Sequence, residues 1–239
     1  MIRTISDGPP LVSICTPTYN RKKFMKNLVN NIDSQDYPKC LIEWVIIDDG
    51  EDNLEDIIQN AREIMKEIKI SYVKLSNKVA LGKKRNIMHE YASGSILVYM
   101  DDDDYYPPTR ISHAVEMLTQ NPDISCAGCS KIYVYFTEKN ETYSFGPYHT
   151  YHATANTFAF RRELLKETRY EDCAVVSEEK YFLQNYTIPM IQLNTLKTIL
   201  VISHNCSTFD KRQILKHAKK SKNSFKHFTK CGFMLESYL

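Results

Sequence analysis

The sequence predicts an α/β domain built on a mostly parallel central sheet with helices on both faces. Three observations carry that prediction. Short apolar, β-rich runs alternate with stretches of helical spacing from Leu11 to Met100, in the order β-α-β-α-β-α-β. Parallel strands joined by covering helices read this way. Two of the runs, Trp44–Ile47 and Ile96–Met100, are continuously apolar, as strands buried on both faces are. Both are followed by carboxylates, Asp48-Asp49-Gly50 and Asp101–Asp104. In an open parallel sheet, strand carboxyl ends share one edge, and ligands bind there.

Leu11–Cys15 is the first strand, ended by Thr16-Pro17-Thr18-Tyr19-Asn20. Arg21–Ser34 carries Phe24, Met25, Leu28, Val29 and Ile32 at helical spacing, and Asp36-Tyr37-Pro38 breaks it. After the second strand at Trp44–Ile47, Leu54–Ile68 is an amphipathic helix and Ile70–Leu75 a third strand. Gly82–Ala92 is a helix with Lys83, Lys84 and Arg85 in its first turn and Gly94 as a C-cap. The strand Ile96–Met100 runs into the four aspartates, and Pro107 and Pro108 end any regular pairing.

Thr109 caps a helix over Thr109–Leu118, stopped by Asn121-Pro122. Ile124–Phe136 has a strand-like core, and Thr137–Tyr148 is a hairpin or mobile loop. Thr157–Phe160 is a strand, and Arg161–Glu167 a short helix. Val175–Leu183 is a helix that Ser177 caps and that opens on Glu178-Glu179. Leu196–Ser203 is a late strand ending at His204. Lys211–Leu239 is basic and interrupted by Phe225, Phe228 and Phe233. No repeat, low-complexity stretch or linker divides the 239 residues.

Composition narrows the function. The chain is 43% hydrophobic and 25% charged, with a net charge of +2, which argues against nucleic acid as a partner. The start has no apolar core, and no apolar run approaches the roughly 18 residues of a membrane helix. A soluble, cytoplasmic protein with mostly reduced cysteines is expected. Cys126 and Cys129 have Cys-x-x-Cys spacing but no second pair, so they are expected in the core rather than on zinc.

Four adjacent carboxylates repel one another unless something positive neutralises them. At the end of a buried strand the natural neutraliser is a hard divalent cation carrying phosphates. The basic turn Lys83-Lys84-Arg85 at a helix N-terminus suits a diphosphate. The sequence has no Gly-x-x-x-x-Gly-Lys-Ser/Thr and no Gly-x-Gly-x-x-Gly after a strand, so a P-loop nucleotidase and a dinucleotide dehydrogenase are both poorly supported.

These residues resemble the GT-A-fold nucleotide-sugar glycosyltransferases of family 2. Val12–Asn20 resembles the family's first strand and nucleotide loop, and Val45–Gly50 its second strand. Gly82–Asn86 resembles its diphosphate-side segment, Asp101-Asp102-Asp103 its Asp-x-Asp metal motif, and Ser177–Leu183 its base motif. The likeness covers about residues 10–210. It departs at Glu178-Glu179, where the family usually has Glu-Asp, and after residue 210, where the tail matches nothing in the family.

The resemblance implies a metal-dependent glycosyltransferase using Mn2+ or Mg2+. It would move a hexosyl group from a nucleotide-diphosphate sugar, a UDP-sugar, to a hydroxyl of a glycan, glycoprotein or other acceptor, with inversion. It implies that Thr16, Pro17, Tyr19 and Asp49 hold the base, that Arg85 and Asp102 contact diphosphate and ribose, and that Asp101, Asp103 and His204 serve the metal. Glu179 is the implied catalytic base, with Glu178 the alternative. A single domain over 1–239 is expected, with a nucleotide-sugar half at 1–104, an acceptor half at 105–210 and a basic tail at 211–239. The tail suits a peripheral membrane or homo-oligomer contact. The rival readings are a sugar-1-phosphate nucleotidyltransferase, whose Gly-rich phosphate loop Thr16–Arg21 is not, and a non-catalytic nucleotide-sugar or glycan-binding module.

Overall fold

The computed structural model describes residues 8–205, 211–223 and 225–228. The first half runs β1 (Val12–Thr18), α1 (Lys22–Asp33), β2 (Ile42–Asp48), α2 (Glu55–Ile64), β3 (Lys69–Lys74), α3 (Leu81–Tyr91) and β4 (Ile96–Tyr99). The second continues with α4 (Arg110–Gln120), β5 (Cys126–Gly128), β6 (Ile132–Phe136), β7 (Glu141–Phe145), β8 (Ala159–Arg161) and α5 (Glu179–Phe182). It closes with β9 (Met190–Gln192), α6 (Thr195–Thr198), β10 (Val201–Ser203) and β11 (Lys219–Lys220).

The main sheet has the order β3-β2-β1-β4-β8-β5-β9. Strands β1 to β4 are parallel, with Cys15 opposite both Val45 and Tyr99. Only β8 runs against its neighbours. Alternate side chains feed two cores, as strand periodicity requires. Val12, Ile14, Trp44 and Ile46 face α1, α2 and α4, while Cys15, Val45 and Ile47 face α3 and α5. A second sheet, β10-β6-β7-β11, stands beside the first.

Several boundaries differ from the sequence reading. β1 continues through Thr16-Pro17-Thr18, the stretch expected to end it. Met100 N–H donates to Cys15 carbonyl, so Pro17, two residues on, turns its missing donor toward a β4 that has already ended. Gly94 is not a C-cap, because Ala92 closes α3. A Cβ on Gly94 would lie 2.6 Å from the Ser13 backbone nitrogen, so the glycine is there for close approach to β1. The run Ile124–Phe136 is two strands in two sheets, turned at Ser130, whose Oγ accepts the N–H groups of Tyr148 and His149. The first half of Leu196–Ser203 is helix α6, capped by Asn194 Oδ1 on Leu196 N–H. Thr109 makes no side-chain cap; its hydroxyl donates to Lys197 carbonyl instead.

Phe225 and Phe228 of the tail pack with Phe24, Tyr135 and Ile202 in a third core, on their own domain. Phe233 lies outside the described residues. Cys126 and Cys129 are buried and free, and burial pushes the Cys126 thiol up to about 12, which suits core rather than metal chemistry. Among the described residues no helix is long and apolar enough to cross a membrane.

Candidate active site

At the carboxyl edge of the sheet the four aspartates take four different partners. Asp101 Oδ1 lies 3.7 Å from Arg85 Nη1. Asp102 faces the cleft beside β1. Asp103 Oδ2 is 3.1 Å from His204 Nε2, at the end of β10, and 3.9 Å from Arg21 Nη2. Asp104 turns away from the cleft, accepting Ile202 N–H at 3.0 Å and Asn156 Nδ2 at 2.7 Å. It therefore ties the second sheet to the site.

Their titration follows these surroundings. Burial raises Asp101 to about 6 against the pull of Arg85, and burial with the Asp103 charge raises Asp104 to about 8. Burial and Asp103 also hold Asp102 well above the usual carboxylate range. Burial works against the charge on Asp103 as well, but the His204 hydrogen bond and the cations Lys211 and Arg21 outweigh it and hold that carboxyl low. One carboxylate of the row is thus kept ionised while its neighbours resist ionising, and a divalent cation would relieve all of them.

Helix α3 supplies the cations. Lys83 faces solvent, whereas Lys84 and Arg85 are buried. Lys84 Nζ donates to Thr18 carbonyl at 2.9 Å and pairs with Asp49 Oδ1. Asp49 Oδ2 accepts Val79 N–H at 2.8 Å, so this carboxylate also fixes the loop before α3. Arg85 stacks 4.6 Å over the Tyr99 ring, and its Nε donates to Glu178 Oε1 at 2.9 Å. Arg85 Nη1 and Asp101 Oδ1 face each other as an ion pair at 3.7 Å, and neither makes a hydrogen bond. A buried pair joined this loosely has hydrogen-bonding capacity left for a ligand.

The cleft has a volume of about 160 Å³ and is lined by Pro17, Thr18, Tyr19, Arg21, Leu81, Lys84, Arg85, Asp101, Asp102 and Asp103. It brings together most of the residues singled out in the sequence. Thr16 is an exception. It is fully buried, with its hydroxyl accepting Trp44 Nε1–H at 2.9 Å and donating to Met100 carbonyl at 2.8 Å, so it holds strands rather than a ligand. Asp49 stands behind Lys84. Arg21 and Lys211 add cations that no sequence motif singled out. A wider hollow of about 650 Å³ lies near β7 and β11, shares no lining residue with the cleft, and its carboxylate, Glu141, is already paired with Lys220.

Glu178 and Glu179 lie at the start of α5. Glu178 is buried on Arg85. Glu179 is half-buried and carries no ion pair among the described residues; burial first, and the Glu178 charge second, raise its pKa. Among the described residues no three His, Cys, Asp or Glu side chains form a complete metal cage. Asp103 and His204, 3.1 Å apart, offer an oxygen and a nitrogen donor that would suit a divalent cation.

The family model for glycosyl transferase family 2 matches residues 13–181. Over 110 residues the chain is 30% identical to the poly(ribitol-phosphate) beta-N-acetylglucosaminyltransferase TarS of Staphylococcus aureus, covering 46% of this chain and 19% of TarS. Over 124 residues it is 28% identical to TuaG of Bacillus subtilis, a putative teichuronic acid biosynthesis glycosyltransferase, covering 52% of this chain and 46% of TuaG. The chain thus matches less than half the length of either relative. Among solved structures, the mannosyltransferase PcManGT of Pyrobaculum calidifontis, in complex with GDP-Man and Mn2+, superposes with a TM-score of 0.66 at 16% identity, over 97% of this chain and 69% of that one. TarS 1-349 in complex with UDP-GlcNAc superposes with a TM-score of 0.62 at 20% identity, over 82% of this chain and 59% of that one. These likenesses establish the GT-A fold.

Proposed function

The chain belongs to glycosyl transferase family 2, and on that footing we propose that it transfers a hexosyl group from a UDP-sugar to an acceptor hydroxyl with inversion, aided by Mn2+ or Mg2+. The observation that carries this reading is the loose Arg85–Asp101 ion pair, whose Nη1 and Oδ1 make no hydrogen bond, in a cleft that also holds Asp103 and Lys84. A diphosphate with its cation would satisfy all four. In this reading residues 1–104 bind the donor, 105–210 the acceptor, and 211–239 form the tail.

Pro17 and Tyr19 flank the nucleoside, with Asp49 as a further acceptor for the base. Arg85 binds the diphosphate, held in place by Glu178, and Asp102 takes the ribose. Asp103 and His204 hold the cation, with Asp101 beside them. When bound, the cation supplies Lewis-acid neutralisation of the departing diphosphate. Glu179 takes the proton from the acceptor hydroxyl, whose oxygen attacks the anomeric carbon from the face opposite the diphosphate. The bond to the diphosphate breaks, and its electron pair leaves with that group.

The test is metal-dependent stabilisation. UDP-sugars with Mn2+ should raise the melting temperature of the wild type, and slow hydrolysis of the bound UDP-sugar should follow. A panel of UDP- and GDP-sugars that neither stabilises the protein nor is turned over would exclude the reading.

A further inference from the structure

An aromatic strip begins in the segment after α5, the short helix that opens on Glu179. The tight segment after α5 folds back on it, with Asn185 N–H donating to Lys180 carbonyl at 2.8 Å. Gln184, Asn185 and Tyr186 all have left-handed backbones, with φ of 48°, 57° and 62°. Three consecutive non-glycine residues in that region are uncommon, and such conformations gather where a side chain must be aimed. Here they present Tyr186. Burial first, and the Glu179 charge second, hold its hydroxyl above the ordinary pKa. The Tyr186 ring lies 5.2 Å from that of His152, which lies 4.9 Å from that of Tyr148. Tyr148 is 54% exposed.

The loop that carries Tyr148 and His152 is fixed. Ser130 Oγ accepts the N–H groups of Tyr148 and His149, and Gln192 Nε2 donates to the carbonyls of Thr150 and His152. His152 Nδ1 is buried without a hydrogen-bond partner. The three rings thus pack in a row, tilted by 56° and 39° from one to the next, with an unused polar atom among them. Flat aromatic faces with a few convergent polar groups suit a ligand that is apolar on its face and polar at its rim. A pyranose is such a ligand, with C–H bonds on its faces and hydroxyls around its edge. A polyol phosphate chain has no flat apolar face.

We propose that Tyr148, His152 and Tyr186 form the acceptor platform, and that it takes a pyranose ring of a glycan acceptor, with a sugar hydroxyl on His152 Nδ1. The proposal rests on the reading of Glu179 as the base, because Tyr186 sits on the segment that folds back on the helix opened by that residue.

The test is saturation-transfer NMR on the full chain with the methyl β-glycosides of glucose, galactose, mannose and N-acetylglucosamine, and with glycerol phosphate as the ring-free probe. At least one glycoside should be saturated, chiefly at the C–H groups of one face. Its affinity should fall about tenfold in Tyr186→Ala and in His152→Ala, the factor that loss of about 1.4 kcal/mol of ring contact gives. Tyr186→Phe keeps the ring and should keep binding, as should Tyr91→Ala at the far end of α3. Stabilisation by UDP with Mn2+, measured on every variant, reports that the fold and the cleft are intact. The platform is refuted if no glycoside is saturated, if binding survives both alanine variants, or if glycerol phosphate binds the strip instead. Glycoside binding lost in the alanine variants, in a protein that UDP does not stabilise, would keep the platform and remove the nucleotide-sugar reading.

Discussion

Glu178 holds buried Arg85 through a 2.9 Å contact, whereas its neighbour Glu179 carries no ion pair among the described residues. Neighbours at a helix start point about 100° apart, so the two have different fates. Glu178→Gln leaves a buried guanidinium short of its counter-charge. It should cost about 3 kcal/mol, the low end for a broken buried pair because Asp101 remains nearby, as read by denaturant unfolding. Glu179→Gln should change stability by less than about 0.5 kcal/mol yet lower transfer by about two to four orders of magnitude with donor affinity unchanged. If the Glu179→Gln enzyme transferred at the wild-type rate, the base would lie elsewhere.

The pH dependence has a definite sign. Glu179 titrates above its ordinary 4.5 in the folded protein. Its contribution to stability is therefore complete below pH 4.5 and is lost as pH rises through the raised value. Transfer runs the other way, because a base must be ionised. The acid limb of the transfer profile should have its midpoint above 4.5 and should vanish in Glu179→Gln. A midpoint at or below 4.5 would contradict the assignment. The residue order favoured Glu179 as the base and kept Glu178 as the alternative, without showing a separate role for either. Only the spatial position of Arg85, 93 residues away, separates them.

Among the elements, α3 couples the two sides of the site. Its first turn lines the cleft with Lys84 and Arg85. The same turn docks the segment that leads to α5. Gly82 N–H donates to Ala174 carbonyl at 2.9 Å, and Asn86 Nδ2 donates to Tyr170 carbonyl at 2.9 Å. A Cβ on Gly82 would lie 2.0 Å from the Glu171 carbonyl oxygen, so Gly82→Ala must push that segment away. The substitution should cost about 1–3 kcal/mol and reduce transfer more than UDP binding, as calorimetry beside an activity assay would show. Equal losses in both would mean that the segment does not position the base.

Asp104 is the corresponding tie on the other side. Asp104→Ala strands the Ile202 N–H and the Asn156 amide and should cost about 1–3 kcal/mol, read by thermal or denaturant unfolding. An unchanged midpoint would show that the two sheets do not depend on it. The row of four aspartates marked the site clearly in the sequence, but not that its last member is structural. That role is set by β10, which lies far along the chain and in another sheet.

For the whole molecule, the parallel half was legible because each strand and helix carries its own periodicity, from Val12 in β1 to Tyr99 in β4. The second half was less so. Its strands are two to five residues long, too short for a period to declare itself, and only the polar pair Ser130-Lys131 marks where Ile124–Phe136 changes sheet. The cleft was legible for the same reason as the parallel half, since strand ends must share an edge. Thr16 was misplaced because a threonine at a strand end looks the same whether its hydroxyl meets a ligand or, as here, Trp44 and Met100.

The central claim is that this edge binds a nucleoside diphosphate through a divalent cation held by Asp103. The direct measurement is calorimetric titration of UDP, with and without Mn2+, into the wild type and Asp103→Ala. Mn2+-dependent binding is expected in the wild type and at least about a tenfold loss of affinity in the variant, equivalent to about 1.4 kcal/mol, with cooperative unfolding retained. Equal UDP affinity in the two proteins with Mn2+ present would contradict it.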